Sequence, residues 1–157
     1  MLSKRALLKS LIAANLIAGA AATRAASLRG ALFEAGDAPL RVCAHSRGVV
    51  YGAAANSYQL GDSAFAAALA REAGMLVPEY EMKRGVIEAV RGRFDFAGVD
   101  KLMAFARAHA MAFRGHPLVW HKRNPDWLDD ALLSSRDSRL LTSYIATVAG
   151  RYRGRMH

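Results

Sequence analysis

The chain is poor in cysteine, in long apolar runs and in acidic side chains. Its single cysteine, Cys43, excludes an internal disulfide and a cysteine metal cluster. No apolar run reaches the roughly 18 residues that a membrane-spanning helix needs. Acidic residues number 13 against 22 lysines and arginines, but no basic run is interleaved with aromatic residues and no nucleic-acid motif appears. A nucleic-acid partner is therefore not expected, and the 53% hydrophobic content predicts a folded globular domain.

The first 26 residues have the pattern of a signal peptide. A cationic start is followed by an apolar stretch over residues 10–22 and then by small residues that suit cleavage. Residues 3–9, SKRALLK, are similar to a twin-arginine export signal with Lys4 in place of the first arginine, and ordinary secretory export stays open. The alternative is an amphipathic helix that belongs to the fold. We expect an exported bacterial protein, periplasmic or secreted, with no membrane association once residues 1–26 are removed.

The rest of the chain alternates between predicted strands and predicted helices. Short apolar runs predict the strands, and helical spacing of apolar residues predicts the helices. The predicted strands are residues 49–55, 75–77 and 111–114, and the predicted helices are residues 62–74, about 98–110 and about 135–154. Residues 41–48 and 84–93 are predicted to be irregular, and residues 125–128 to be a loop. A strand–helix unit repeated three times predicts an α/β protein with a parallel sheet.

Polar residues follow each predicted strand at its carboxyl end. They lie in residues 56–59, 79–83 and 114–121. Because parallel strands end at the same edge, these side chains should meet there, which is where (β/α)8 barrels and doubly wound sheets place their sites. The first turn has no glycine-rich phosphate loop, and its residues suit hydroxyl groups better. A metal site at His116 and His121 is disfavoured because their spacing matches no zinc motif, while an unrelated α/β enzyme that uses either histidine as a general base stays an alternative.

Four motifs in order resemble glycoside hydrolase family 10, whose members are mainly endo-1,4-β-xylanases. The motifs are YGAAANSYQL at 51–60, PEYEMK at 78–83, GRFDF at 92–96 and RGHPLVWH at 114–121. The resemblance covers about residues 28–157 and implies the N-terminal portion of a (β/α)8 TIM barrel, about three βα units with the approach to the fourth strand. The expected organisation is a signal peptide over residues 1–26 and a truncated barrel domain over residues 27–157.

The resemblance implies roles for particular side chains. Glu79 and Lys83 resemble residues that hydrogen-bond the sugar on the non-reducing side of the cleaved bond. His116 and Trp120 resemble the pair that borders the reacting sugar, and His121 resembles their supporting neighbour. The expected partner is xylan or a related β-1,4-linked polysaccharide, with no cofactor and no metal.

Two further side chains near the motifs have more limited expected roles. Asn56 is a candidate sugar contact, although turn chemistry also explains an asparagine at this position. Glu81 is expected to brace its loop rather than to touch sugar.

The chain departs from the family pattern at four positions. Tyr80 stands where the pattern usually has Asn, and Arg123 stands where it usually has Gln. Arg84 replaces a common aromatic residue, and Pro117 replaces a frequent Thr. These changes predict a substrate preference that differs from plain xylan.

The resemblance also implies two catalytic carboxyl groups, of which the acid/base follows the fourth strand in an Asn-Glu pair. No Asn-Glu pair occurs in the chain, and neither catalytic glutamate is expected in it. We therefore expect a fragment or a prematurely terminated gene product that binds substrate and is inactive alone. The alternative is a non-catalytic half-barrel that binds carbohydrate or a partner protein.

Overall fold

Three short parallel strands form the centre of the part of the chain that the computed structural model describes, residues 37–157. Strand β1 is Gly52–Ala55, β2 is Met75–Pro78 and β3 is Ala112–Phe113. The order is β1-β2-β3, with Gly52 opposite Met75 and Met75 opposite Ala112. The predicted parallel sheet is therefore confirmed. The predicted signal peptide lies outside the described residues.

The described part of the chain also contains six α-helices and two 3₁₀ turns. The helices are α1 Leu40–His45, α2 Ser63–Glu72, α3 Arg84–Ile87, α4 Ala97–Ala108, α5 Asp126–Ser135 and α6 Arg139–Arg151. The 3₁₀ turns are Gln59–Gly61 and His121–Arg123. Helix α2 links β1 to β2 and α4 links β2 to β3, as expected for consecutive βα units. Within residues 37–157, no helix combines the length and the apolarity needed to cross a membrane.

Local signals account for the two linking helices. The carboxylate of Asp62 accepts hydrogen bonds from the backbone N–H groups of Ala64 (2.9 Å) and Phe65 (3.1 Å), so Asp62 is the N-cap of α2. In α4, residues at helical spacing are buried, among them Val99 and Leu102. Both helices were predicted from the helical spacing of their apolar residues.

The hydrophobic core lies where the sheet, α4 and α6 supply buried side chains. Leu76 of β2 and Leu102 of α4 are fully buried, and Tyr144 and Val148 of α6 are each only 1% exposed. Full burial of one such aliphatic side chain stabilises the fold by about 1.5–3 kcal/mol. Phe96 packs edge-on against another core ring, Tyr152, with centroids 5.8 Å apart.

Three sequence-based predictions about irregular segments were wrong. Residues 41–48 contain most of α1, whose first N–H group, on Leu40, donates to the carboxylate of Glu72 at 2.7 Å. Residues 84–93 begin with α3, whose Arg84 and Ile87 are buried. Residues 125–128 are the start of α5: Pro125 is its N-cap, and Leu128 is fully buried.

The predicted first strand was too long at its beginning. Strand β1 starts at Gly52, where β2 first lies opposite it. Val49, Val50 and Tyr51 precede this pairing and are 57%, 61% and 41% exposed. The continuous apolar run over residues 49–55 predicted that all of its residues are buried, but its first three are largely exposed.

The last residues run along the outer edge of β3. The N–H of His157 donates to the carbonyl of Phe113 at 2.9 Å, and the N–H of Gly115 donates to the carbonyl of His157 at 3.2 Å. Gly154, with φ of +71°, lies in the turn after α6. The chain thus reaches the fourth-strand position that the resemblance implied.

Candidate functional site

A groove of about 390 Å³ opens beyond the carboxyl ends of β1 and β2. Polar and aromatic side chains line it: Asn56, Tyr58, Glu79, Tyr80, Lys83, Trp120 and Arg123. Asn56 directly follows the last residue of β1, and Glu79 directly follows the last residue of β2. A depression of about 410 Å³ lined by residues of α4 and α6 is slightly larger, but it lies away from the strand ends. We therefore take the groove as the candidate site.

Glu79 is held in place from both its backbone and its side chain. Its N–H donates to the carbonyl of Ala55 at 3.0 Å, which joins the ends of the two strands. The side-chain amide of Asn56 donates to Glu79 Oε2 at 2.9 Å. Asn56 is fixed in turn, because its backbone N–H donates to Gln59 Oε1 at 2.7 Å. The carboxylate is thus presented to the groove in a defined orientation.

Lys83 lies between the aromatic residues of the groove. Its ammonium group is 5.4 Å from the centroid of the Tyr80 ring and 5.6 Å from that of Trp120. The same group donates a hydrogen bond to the carbonyl of Glu79. Cation–π attraction over each ring stabilises this position of Lys83, so a carboxylate and an ammonium group face one groove.

Three aromatic side chains give the groove exposed apolar surface. Trp120 is 37% exposed, Tyr80 is 45% exposed and Tyr58 is 75% exposed. Indole and phenol rings combine a flat apolar face with a polar edge. Together with the charged groups, they form a surface suited to a molecule that has both C–H faces and hydroxyl groups.

The buried side chain of Glu81 supports the turn after β1. It is 8% exposed, and its Oε1 accepts a hydrogen bond from the N–H of Ser57. A Cβ added to Gly98 would lie 2.7 Å from Glu81 Cγ, so α4 approaches this carboxylate closely. Glu81 therefore braces the loop, as expected.

A buried ion pair anchors the chain immediately after Lys83. Arg84 donates to Glu88 Oε2 from Nε (2.9 Å) and from a terminal nitrogen (2.8 Å), and both residues are at most 5% exposed. Glu88 Oε1 accepts from the N–H of Gly92 at 2.9 Å. The Arg84 guanidinium lies 4.3 Å from the Tyr144 ring centroid and 5.2 Å from that of Trp127. Burial raises the pKa of Tyr144 to about 12, so its phenol stays neutral well above physiological pH.

Four of the six predicted site residues lie in this groove: Asn56, Glu79, Lys83 and Trp120. His116 and His121 are exposed and are not among its lining residues. In residues 37–157, no group of three or more histidine, cysteine or acidic side chains is placed to hold a metal ion.

Three lining residues were not predicted as site residues: Tyr58, Tyr80 and Arg123. Tyr58 belongs to the polar turn after β1. Tyr80 and Arg123 were marked only as departures from the family pattern. The signal that could have identified Tyr58 and Tyr80 was their position inside the motifs, whereas Arg123 lies two residues beyond the last motif.

The sheet order, the linking helices and the groove define a partial (β/α)8 barrel with its candidate site at the carboxyl ends of the strands. The sequence profile of glycosyl hydrolase family 10 matches residues 39–157. The chain belongs to this family.

Two relatives that carry the name endo-1,4-beta-xylanase match most of the chain. An endo-1,4-beta-xylanase 2 of Claviceps purpurea is 34% identical over 115 residues, 71% of this chain and 35% of that protein. An endo-1,4-beta-xylanase B of Thermotoga neapolitana is 34% identical over 128 residues, 79% of this chain and 37% of that protein. The chain thus spans little more than a third of the length of these relatives.

Solved structures show the same fold. Xylanase 10B of Thermotoga petrophila RKU-1, solved in complex with xylobiose, matches with a TM-score of 0.65 and 29% identity over 77% of this chain and 38% of its own. Xylanase B of Clostridium stercorarium F9 matches with a TM-score of 0.67 and 26% identity over 75% of this chain and 39% of its own. The fold is therefore the N-terminal portion of a family 10 TIM barrel.

Proposed function

We propose that this chain forms the wall of an endo-1,4-β-xylanase cleft that binds sugars on the non-reducing side of the cleaved bond. The observation that carries the proposal is the convergence of Glu79, Lys83 and Trp120 on one groove at the strand ends. Family membership and the xylobiose-bound relative support a β-1,4-linked xylo-oligosaccharide as the ligand.

The chemistry of the groove fits such a ligand. Glu79 is an acceptor and Lys83 a donor for sugar hydroxyls, and hydrogen bonds to charged groups contribute about 1.5–3 kcal/mol each. Asn56 holds the Glu79 carboxylate at 2.9 Å, so less side-chain entropy is lost on binding. The exposed face of Trp120 provides an apolar surface against which a pyranose ring can stack.

Binding without hydrolysis is the second part of the proposal. Retaining glycosidases need two carboxyl groups about 5–5.5 Å apart, one as acid/base and one as nucleophile. Among the described lining residues, Glu79 is the single carboxylate, and it accepts a hydrogen bond from Asn56. The nearby Glu81 is buried and bound to the N–H of Ser57. We therefore assign this groove to substrate binding and not to bond cleavage.

Calorimetric titration with xylotetraose tests the binding. Lys83→Met should weaken the affinity about 10–100-fold, since it removes a charged donor. The matched control is Lys101→Met, which removes the same charge from an exposed position on α4 outside the groove. Equal affinities of the two variants would contradict the assignment of the groove.

A reducing-sugar assay tests the absence of hydrolysis. We expect the purified chain to release no reducing ends from xylan beyond the level of a heat-treated sample. Release that scales with protein concentration and falls in Glu79→Gln would show that the groove cleaves xylan.

Export is a separate proposal and rests on the composition of residues 1–26. Fusing these residues to a folded reporter should deliver it to the periplasm through the twin-arginine route. Replacing both Lys4 and Arg5 by glutamine should leave the reporter in the cytoplasm. Delivery that needs only the general secretory route would support the ordinary signal-peptide alternative.

A non-catalytic half-barrel is the second candidate function, and the exposed apolar residues before β1 favour it. Val49, Val50 and Tyr51 are 41–61% exposed, and Val42 beside them is 52% exposed. Apolar surface of this kind commonly marks a contact between chains. Sedimentation measurements should then show a concentration-dependent dimer that Val50→Lys disrupts. A monomer at all concentrations would leave this candidate without support.

A further inference from the structure

We infer that the groove selects a β-1,4-linked saccharide that carries a carboxylate, such as a uronic acid, and that Arg123 is the residue that determines this preference. The inference rests on the proposed function of the same groove and specifies its substrate class.

The charges that line the groove are unbalanced. Two cations, Lys83 and Arg123, accompany one carboxylate, Glu79. Within residues 37–157, the ion pairs engage other cations, namely Arg71, Arg84, Arg139 and Arg151. Neither groove cation therefore has a carboxylate partner in the described chain, and a neutral sugar would supply none.

The two cations approach the same aromatic ring. The Arg123 guanidinium lies 5.5 Å from the centroid of the Tyr80 ring, and the Lys83 ammonium lies 5.4 Å from it. The ring partly stabilises both charges, but it cannot neutralise them. An anion bound beside Tyr80 would interact favourably with both cations.

The backbone holds Arg123 in a defined position. Its N–H donates to the carbonyl of Trp120 at 3.0 Å, which closes the 3₁₀ turn. A Cβ added to Gly85 would lie 3.0 Å from the Arg123 carbonyl oxygen, so the turn packs closely against α3. The guanidinium thus extends into the groove from a packed turn and not from a free loop.

The chemistry of arginine indicates the ligand class. A guanidinium group binds a carboxylate with two parallel hydrogen bonds, a geometry that a neutral hydroxyl cannot match. Glu79 repels a carboxylate in its immediate vicinity. The hydroxyl groups of the main-chain sugars would therefore face Glu79, and the acidic side group would face Arg123.

Two saccharides that differ only in the carboxylate test the inference. One is a xylotetraose that bears a glucuronic acid side group, and the other is the same compound after reduction of its carboxyl group to an alcohol. Calorimetry on the full chain should show about tenfold tighter binding of the acidic form, and this ratio should fall as salt is raised. In Arg123→Gln, the ratio should fall to about one, while Lys122→Gln, the adjacent exposed cation outside the groove, should keep it.

The outcomes distinguish the preference for a carboxylate from the binding of xylo-oligosaccharide itself. Equal affinity for both saccharides in the wild-type chain would overturn the inference and leave xylo-oligosaccharide binding intact. Binding of neither saccharide would refute both the inference and the proposed function. Free glucuronate that binds as tightly as the acidic saccharide would also overturn the inference, because Arg123 would then be a general anion site.

Discussion

Replacing Glu88 by alanine would leave the Arg84 guanidinium buried without its carboxylate partner. Arg84 is 3% exposed, and both of its hydrogen bonds to a carboxylate end on Glu88. The substitution would also remove the acceptor of the Gly92 N–H. The Tyr144 and Trp127 rings near the guanidinium remain, but they offer no negative charge to pair with it.

The expected cost follows from this burial. Removing one partner of a buried ion pair destabilises a protein by about 3–5 kcal/mol, a large part of the 5–15 kcal/mol typical of a domain. For a folded unit of this size, the melting temperature should fall by about 12–20 °C. By contrast, Arg139→Ala should have little effect on stability, because the Arg139 side chain in its ion pair is 87% exposed and solvent screens the pair.

Urea unfolding followed by circular dichroism measures both variants. The double variant Arg84→Met, Glu88→Leu is the critical control, since apolar replacements remove the charge together with its partner and should recover most of the loss. A cost below about 1 kcal/mol for Glu88→Ala would refute the reasoning. Equal instability of the double variant would show that packing, and not the uncompensated charge, is responsible.

Three further predictions concern the cap of α2, the buried phenol and the brace below the groove. Asp62→Ala should lower the free energy of unfolding by about 1 kcal/mol in urea, because it removes the N-cap acceptor, whereas Ser63→Ala should have little effect. The raised pKa of Tyr144, about 12 against about 10 when unfolded, gives a stabilisation that is present below pH 10 and is lost as pH rises to about 12. This contribution is about 3 kcal/mol, so the loss of stability across this pH range should be smaller in Tyr144→Phe. Tyr152, whose pKa is also raised to about 12, keeps its own contribution, and an unchanged loss in the variant would contradict the assignment. Gly98→Ala should weaken xylotetraose binding in calorimetry by displacing Glu81, and unchanged affinity would show that this brace does not shape the groove.

Elements with local signals could be predicted from the sequence. The N-cap Asp62, the apolar spacing of α4 and the short run at Met75 identify their elements without reference to the rest of the chain. Helix α1 could not be predicted in this way, since its first N–H is satisfied by Glu72, which lies 32 residues away from Leu40. The same holds for Arg84, whose burial depends on rings that α5 and α6 supply.

The candidate site was predictable to the extent that it lies at strand ends. Asn56 and Glu79 follow β1 and β2, and parallel pairing brings them to a 2.9 Å hydrogen bond. Arg123 follows no strand. It reaches the groove through the 3₁₀ turn after Trp120, and nothing in the local pattern indicates where that turn packs.

Tryptophan fluorescence tests most directly the central claim that this groove binds xylo-oligosaccharide. The chain has two tryptophans; Trp120 lines the groove, and Trp127 packs in α5 with its indole N–H donating to the carbonyl of Glu88. In Trp127→Phe, the emission therefore reports Trp120 alone. We predict a saturable change in this emission on titration with xylotetraose and its loss in a second variant that adds Glu79→Ala. Emission that stays constant up to millimolar xylotetraose, or a response that persists without Glu79, would contradict the account.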